Sequence, residues 1–206
     1  MIGVCGGSGS GKTTLAHRLV DALGPQMATC ISFDSYYRDH SQLTLEERAA
    51  VNFDHPDSLD VDLLVDHLQA LRAGSEVAIP VYDFSTHTRS GDLEIVSPHK
   101  FVFIEGILLF AFEEIRNNLD YMIFRQCPEP VRAERRFKRD VRERGRTPES
   151  VKLQWETTVK PMHDIFVEPF AEYADLVTTH GQDLDQLVRE IAESLRQGGP
   201  LVRENT

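Results

Sequence analysis

The chain has 206 residues, 41% of them hydrophobic and 27% charged, an ordinary composition for one water-soluble domain with a sizeable core. Its formal net charge of −11 argues against a protein whose main business is gripping nucleic acid or an anionic membrane, and no apolar run approaches the roughly 18 residues of a membrane span. Cys5, Cys30 and Cys127 are widely spaced with no C-x-x-C pair, and the N-terminus has no secretory-signal pattern, so free thiols and a cytoplasmic location are expected.

In chain order, residues 1–5 form a short apolar run that reads as a buried strand. Gly6-Gly7-Ser8-Gly9-Ser10-Gly11-Lys12-Thr13 follows, and it fits the P-loop pattern G-x-x-x-x-G-K-[ST]. Its glycines let backbone N–H groups close around the phosphates of a nucleoside triphosphate. Lys12 would reach the outer phosphates and Thr13 would offer its hydroxyl to Mg²⁺. A helix over 13–23 places Leu15, Ala16, Leu19, Val20 and Leu23 on one face, and Gly24-Pro25 stops it. Residues 28–33 read as a second buried strand ending at Asp34. Asp60 caps a helix over 61–72 that Gly74 closes.

Residues 76–82 and 93–96 read as a hairpin projecting from the core, and 101–104 as the central strand, followed by Glu105-Gly106. Residues 121–124 form the fourth core strand and 128–144 a strongly basic helix that ends at Gly145. Residues 150–173 look helical but broken at Pro161 and Pro169, 175–178 is a final short strand, and 183–195 is the last helix. The tail after Gly198 is expected to be loose. Alternating strands and helices predict one α/β domain over 1–206, with a parallel sheet covered by helices, a hairpin arm at about 76–97 and a lid at about 128–149.

Phosphoryl transfer needs a phosphate cradle, a metal, a group that orients the attacking hydroxyl, and cations. An acid at the C-terminal end of a core strand beside the P-loop suits the metal, and Glu105 stands there; an exposed strand-end carboxylate is the plainer alternative. Asp34 could accept a proton from an acceptor hydroxyl or could merely cap the turn it opens, and spacing leaves both open. Residues 132–146 carry eight cations (Arg132, Arg135, Arg136, Lys138, Arg139, Arg142, Arg144 and Arg146) with Phe137 as the one aromatic, which suits a lid closing over phosphates better than a nucleic-acid patch. The stretches 52–56 and 82–89 mix aromatic and hydrogen-bonding side chains, as a nucleobase and ribose pocket would, and equally as ordinary loops do. His55 and His87 lack partners at metal spacing, which argues against zinc.

Taken together, the P-loop, Asp34-Ser35-Tyr36-Tyr37, Asn52-Phe53-Asp54-His55-Pro56, residues 82–89, Glu105-Gly106-Ile107-Leu108, Arg136, Arg139-Asp140, Glu143-Arg144-Gly145-Arg146, Gln154, Lys160-Pro161-Met162 and Tyr173-Ala174-Asp175 resemble the uridine kinase (uridine–cytidine kinase) family almost end to end. The resemblance implies a five-stranded parallel P-loop kinase sheet with helices on both faces, ATP or GTP as donor, Mg²⁺, and uridine or cytidine as acceptor. It makes Asp34 the general base, with Lys12 also catalytic. Gly6 to Thr14 together with Arg139 and Arg144 would bind the triphosphate, and Thr13, Glu105 and Asp34 would hold the metal. Asp54 and Arg136 would hold the ribose diol, and Tyr82 and His87 the base edge. Tyr37, Phe53 and Phe84 would wall the pocket, with Arg146 and Gln154 near the nucleoside. A homotetramer with no nucleic-acid or membrane partner, and feedback by pyrimidine triphosphates, belong to the same expectation.

Three places depart from the family pattern. Arg125-Gln126-Cys127 stands where Val-Asp is usual, Trp155 where a tyrosine follows the glutamine, and Thr178-Thr179-His180 in place of a more apolar strand end. Competing readings are a kinase for another acceptor, as in phosphoribulokinase, pantothenate kinase or nicotinamide riboside kinase relatives; a nucleotide-dependent switch with no acceptor; and RNA binding through the basic helix, whose affinity would fall steeply with salt.

Overall fold

The computed structural model describes residues 1–198; the expectation for the tail beyond Gly198 lies outside them. Five parallel strands, β1 (Ile2–Cys5), β2 (Ala28–Ser32), β5 (Phe101–Gly106), β6 (Tyr121–Gln126) and β7 (Leu176–Thr179), lie in the order β2-β5-β1-β6-β7. Strand β1 is central, which is why all four of its residues are buried. It pairs Val4 with Glu105 of β5 on one side and with Ile123 of β6 on the other. The chain reverses strand order between β1 and β6, and the loop after β1 opens at that crevice.

Helices cover both faces. On one, α1 (Lys12–Leu23) and α8 (Leu184–Gln197) bury Leu15, Leu19, Val188 and Ile191 against Ile2, Val4 and Phe103. On the other, α3 (Val61–Arg72) buries Leu64, Leu68 and Leu71 beside Phe33, Tyr36, Leu108 and Phe110. Truncating one of these fully buried leucines to alanine would cost about 2–5 kcal/mol. Asp60 caps α3 as expected, its side chain accepting from the Leu63 N–H.

The hairpin arm falls within the expected span of about 76–97, but its second strand is longer than the sequence signal. Strands β3 (Val77–Asp83) and β4 (Thr88–Val96) pair from Val77↔Val96 to Asp83↔Thr88, whereas 93–96 alone was expected for the second. The first half of β4 is polar, with Thr88 buried, Arg89 half-buried and Ser90 and Gly91 exposed, so it carries no apolar alternation and shows itself through pairing alone. Two short helices, α2 (Leu45–Ala49) and α4 (Glu113–Arg116), also lie outside the expected elements. The second core strand ends a residue early, at Ser32, because residues Phe33–Tyr36 turn as a 3₁₀ segment.

The basic helix is α5 (Glu129–Glu143), followed by α6 (Pro148–Gln154), a π-helical turn (Trp155–Val159) and α7 (Lys160–Phe166). The break anticipated at Pro161 is therefore a shift N-terminal to it, with the proline inside the first turn of α7. A proline removes the bond to the carbonyl four residues back, and the wider π turn absorbs that loss. Thr157 and Thr158 add hydroxyl bonds to the carbonyls of Leu153 and Gln154. Among the described residues no helix is long and apolar enough to cross a membrane.

Candidate active site

The P-loop wraps the start of α1 at the C-terminal edge of β1, where four α1 N–H groups have no partner within the helix. Gly9 sits at φ 81, and a β-carbon there would lie 2.4 Å from the Arg132 carbonyl oxygen, so only glycine lets the loop pass under α5. Gly9, Ser10, Gly11, Lys12, Thr13 and Thr14 line one wall of an open cleft of about 530 Å³. Gly6 and Gly7 do not; they pack against Arg125 and against Arg132 with His163. The Ser10 hydroxyl is buried without a hydrogen-bond partner, in a loop otherwise shaped to receive acceptor oxygens.

Glu105 is buried at the end of β5 and is not an exposed strand-end acid. Thr13 Oγ1 donates to its Oε2 at 2.9 Å, Ser32 Oγ donates to its Oε1 at 3.0 Å, and Lys12 Nζ lies 3.9 Å from Oε2. No group of three or more His, Cys, Asp or Glu side chains gathers among the described residues to cage a metal. One carboxylate beside one hydroxyl at a phosphate loop is the donor set of Mg²⁺, which takes one or two carboxylates and completes its shell with phosphate oxygens and water.

Asp34 lies in the 3₁₀ turn that begins where β2 ends, and that turn has no side-chain cap hydrogen bond. Its carboxylate lines the P-loop cleft and also a second, narrower cavity beside it. Gly106 makes room for this turn, since a β-carbon there would lie 2.6 Å from the Phe33 Cβ.

The second cavity is walled by Ser8, Tyr37, Phe53, Asp54, Tyr82, His87, Arg146 and Gln154, with Lys12, Asp34, Phe84, Arg136, Arg139 and Arg144 shared with the cleft. Tyr37, Phe53 and Tyr82 meet edge-on or tilted at 5.0–6.2 Å, and the His87 ring stacks on Phe53 at 5.6 Å and 18°. Arg136 crosses the floor. It donates to Ser8 Oγ at 3.0 Å and to Gln154 Oε1 at 2.9 Å, lies 3.6 Å from Asp54 Oδ1, and is backed by Asp140 Oδ2 at 3.3 Å. Burial raises the Asp54 carboxyl above its ordinary value, with the Arg136 charge opposing that rise. Burial and the Arg146 and Arg144 charges depress His87, so its imidazole tends to stay neutral. The free volume is about 50 Å³, space for a few waters.

The family model described as Phosphoribulokinase / Uridine kinase family matches residues 1–186. The chain belongs to that family. It is 45% identical over 88% of its length to a uridine kinase of Halalkalibacterium halodurans, covering 86% of that protein. It is 44% identical over 95% of its length to one of Chloroflexus aurantiacus, covering 96% of it. Among solved structures it is similar in fold to the phosphoribulokinase of Rhodobacter spheroides (TM-score 0.62, 16% identity, covering 89% of this chain and 71% of that one) and to a D-glycerate 3-kinase of Cryptococcus neoformans (TM-score 0.60, 18% identity, 80% and 78%). As a P-loop kinase of this family, the protein uses a nucleotide phosphoryl donor.

Several residues of this kinase site escaped the sequence reading. Asp140 is fully buried on the inner face of the basic helix and gathers Arg136, Arg139 (2.8 Å) and Arg144 (3.7 Å). The 136–140–144 spacing was the available signal, because residues four apart share a helix face. Arg135, one of the eight cations of the basic stretch but given no role of its own, reaches the P-loop cleft beside Gly9. Two of the departures from the family pattern prove to be neighbours. Arg125 pairs in register with Thr178, and its Nη1 donates to the Thr179 carbonyl at 2.7 Å, so its charge is turned into the β6–β7 edge.

Proposed function

We infer that this kinase transfers the γ-phosphoryl group of ATP to the 5′-hydroxyl of uridine, and of cytidine, giving the nucleoside monophosphate as in pyrimidine salvage. The observation that carries this is Asp34, one carboxylate lining both the P-loop cleft and the aromatic cavity. A donor phosphate on one side and an acceptor hydroxyl on the other would both lie beside it. The relatives at 40–45% identity named uridine kinase support the acceptor.

Lys12 and the P-loop N–H groups hold the triphosphate, and Arg139 and Arg144 close on it from the lid formed by α5 and the segment after it. Thr13 and Glu105 hold Mg²⁺, with Asp34 within the same cleft. Mg²⁺, when bound, neutralises charge on the phosphate oxygens. Asp54 and Arg136 take the ribose diol: a carboxylate accepts from a hydroxyl and a guanidinium donates to one. Tyr82 and His87 face the base edge, and Tyr37, Phe53 and Phe84 clamp its planes. Asp34 accepts the 5′-hydroxyl proton as the oxygen attacks in line. Most of the acceleration comes from positioning and from cations fixed in a site that excludes water. GTP as alternative donor and a homotetrameric assembly belong to the same reading.

ADP release is the test, measured with Mg-ATP and a panel of uridine, cytidine, deoxyuridine, adenosine, ribulose 5-phosphate and pantothenate. Turnover with the first two and little with deoxyuridine is expected. Stimulation by another acceptor alone would overturn the acceptor assignment, and none by any acceptor would leave a nucleotide switch.

A further inference from the structure

His87 has φ 54, the one positive φ outside glycine among the described residues, and it lies at the hairpin tip with its ring against Phe53. A side chain in the left-handed region is unfavourable and persists where its surroundings over-determine it. Both residues flanking His87 are held from outside the hairpin by one segment, residues 39–48. On one side, Arg48 Nη1 donates to the Thr86 carbonyl at 3.3 Å. On the other, Thr88 Oγ1 accepts from the His40 N–H at 3.0 Å and donates to Asp39 Oδ1 at 2.6 Å.

Arg48 also ties its own segment together. Its Nε donates to the Leu43 carbonyl at 2.9 Å and its Nη2 to the Ser41 carbonyl at 2.8 Å. Helix α2, which carries it, buries no residue, and Leu45 is 59% exposed. Apolar burial therefore does not anchor the helix, and ahead of it the segment has one ring contact with the cavity wall, His40 on Phe53 at 6.2 Å. A capping box between Thr44 and Glu47 starts its helix, and the planar fork of Arg48 spans three carbonyls that no lysine could reach at once.

We propose that Arg48 is a positioning residue for acceptor recognition: through Thr86, and with Asp39 acting through Thr88, it holds His87 in its left-handed conformation and so sets the base-facing wall of the cavity. This rests on the acceptor reading above. It assigns a purpose to the segment between Tyr37 and Phe53, none of whose residues lines the cavity.

The test is a double-mutant cycle on the intact enzyme with Arg48→Met and His87→Ala, read as KM and kcat for uridine and KM for Mg-ATP. Arg48→Met is expected to raise the uridine KM about tenfold, with kcat and the ATP KM little changed, and Arg48→Lys to fall between. In the His87→Ala background Arg48→Met adds nothing further. Fully additive effects, or equal losses in kcat and ATP KM, would overturn the proposal. Should Arg48→Met fail to fold, Thr88→Val removes the second grip and raises the same KM; an unchanged KM there also overturns it. Amide hydrogen exchange of residues 83–88 needs no substrate and is faster in Arg48→Met. Unchanged exchange defeats the brace whichever acceptor is used, whereas a wild-type enzyme that ignores uridine defeats the acceptor reading alone.

Discussion

The Arg144 guanidinium carbon lies 4.3 Å from the centroid of the Phe84 ring. Arg144 closes helix α5 and Phe84 begins the turn between β3 and β4, so this contact is where the basic helix meets the hairpin arm. Both residues line the P-loop cleft and the acceptor cavity alike. A charge over a ring face is attracted to the ring's electron-rich surface, by about 0.5–1 kcal/mol where water still reaches it. Phe84→Leu therefore raises the uridine KM by roughly two- to fivefold, whereas Phe84→Tyr, which keeps the ring, stays near wild type. Steady-state kinetics on the two variants check this; equal behaviour of leucine and tyrosine would mean that bulk alone matters.

Asp34→Asn keeps the size of the side chain and removes its ability to accept a proton. It lowers kcat by about 10²–10⁴, the usual worth of a positioned general base. Binding of a fluorescent ATP analogue survives, because Lys12 and the P-loop are untouched. A variant with near-normal turnover would show that the 5′-hydroxyl needs no base here.

How far the site could be read from the chain depended on whether its residues announce themselves locally. The P-loop did, because Gly6, Gly11, Lys12 and Thr13 at a fixed spacing between strand and helix have one physical use. Glu105 could be placed only as a strand-end acid; its burial and its bonds to Thr13 and Ser32 come from pairing β5 between β1 and β2. Asp34 is open between base and cap on spacing alone; the fold adds that it lies inside the 3₁₀ turn after β2 and lines both cavities, and the base role is the proposal made above. The polar half of β4, the Arg48 brace and the Asp140 hub were not legible. Each is fixed by hydrogen bonds between segments distant in sequence, and neither hydrophobic period nor local spacing records such bonds.

Glu105→Gln leaves one of Thr13 and Ser32 a neutral amide oxygen to donate to, sets an NH2 group against the other, and withdraws one charge from the Mg²⁺ donor set. Losing a charge-assisted contact worth about 1.5–3 kcal/mol raises the Mg²⁺ concentration for half-maximal activity roughly ten- to a hundredfold. A Mg²⁺ titration at saturating nucleoside reads it directly. An unshifted titration would place the metal away from β5.

Asp54→Asn tests the ribose diol. Asp54 is buried beside Arg136, and its neutral isostere keeps shape while losing the charge that opposes the guanidinium. Uridine then loses most of its advantage over deoxyuridine in kcat/KM, because a site built to bond a hydroxyl discriminates through the groups left unpaired without it. Retained discrimination would move the diol contact elsewhere in the pocket.

Acid should weaken the fold through half-buried and buried imidazoles. Tyr36 Oη lies 2.9 Å from His67 Nδ1, and burial is the leading cause that depresses His67 below its ordinary 6.5, with Arg89 adding to it and Asp66 and Asp60 opposing. His87 and His163 are depressed in the same direction, again chiefly by burial. Between the native value and 6.5 the unfolded chain binds more protons than the folded one, so stability falls as pH drops through 6.5 and is flat above it. Melting temperatures taken from pH of about 7.5 down to about 5.5 should decline in the wild type and decline less in His67→Gln, whose amide oxygen still accepts from the Tyr36 hydroxyl. The difference isolates His67, because Asp54, raised and therefore acting in the opposite sense, titrates in both proteins. Parallel declines would show that His67 takes up its proton equally readily in the folded and unfolded chains.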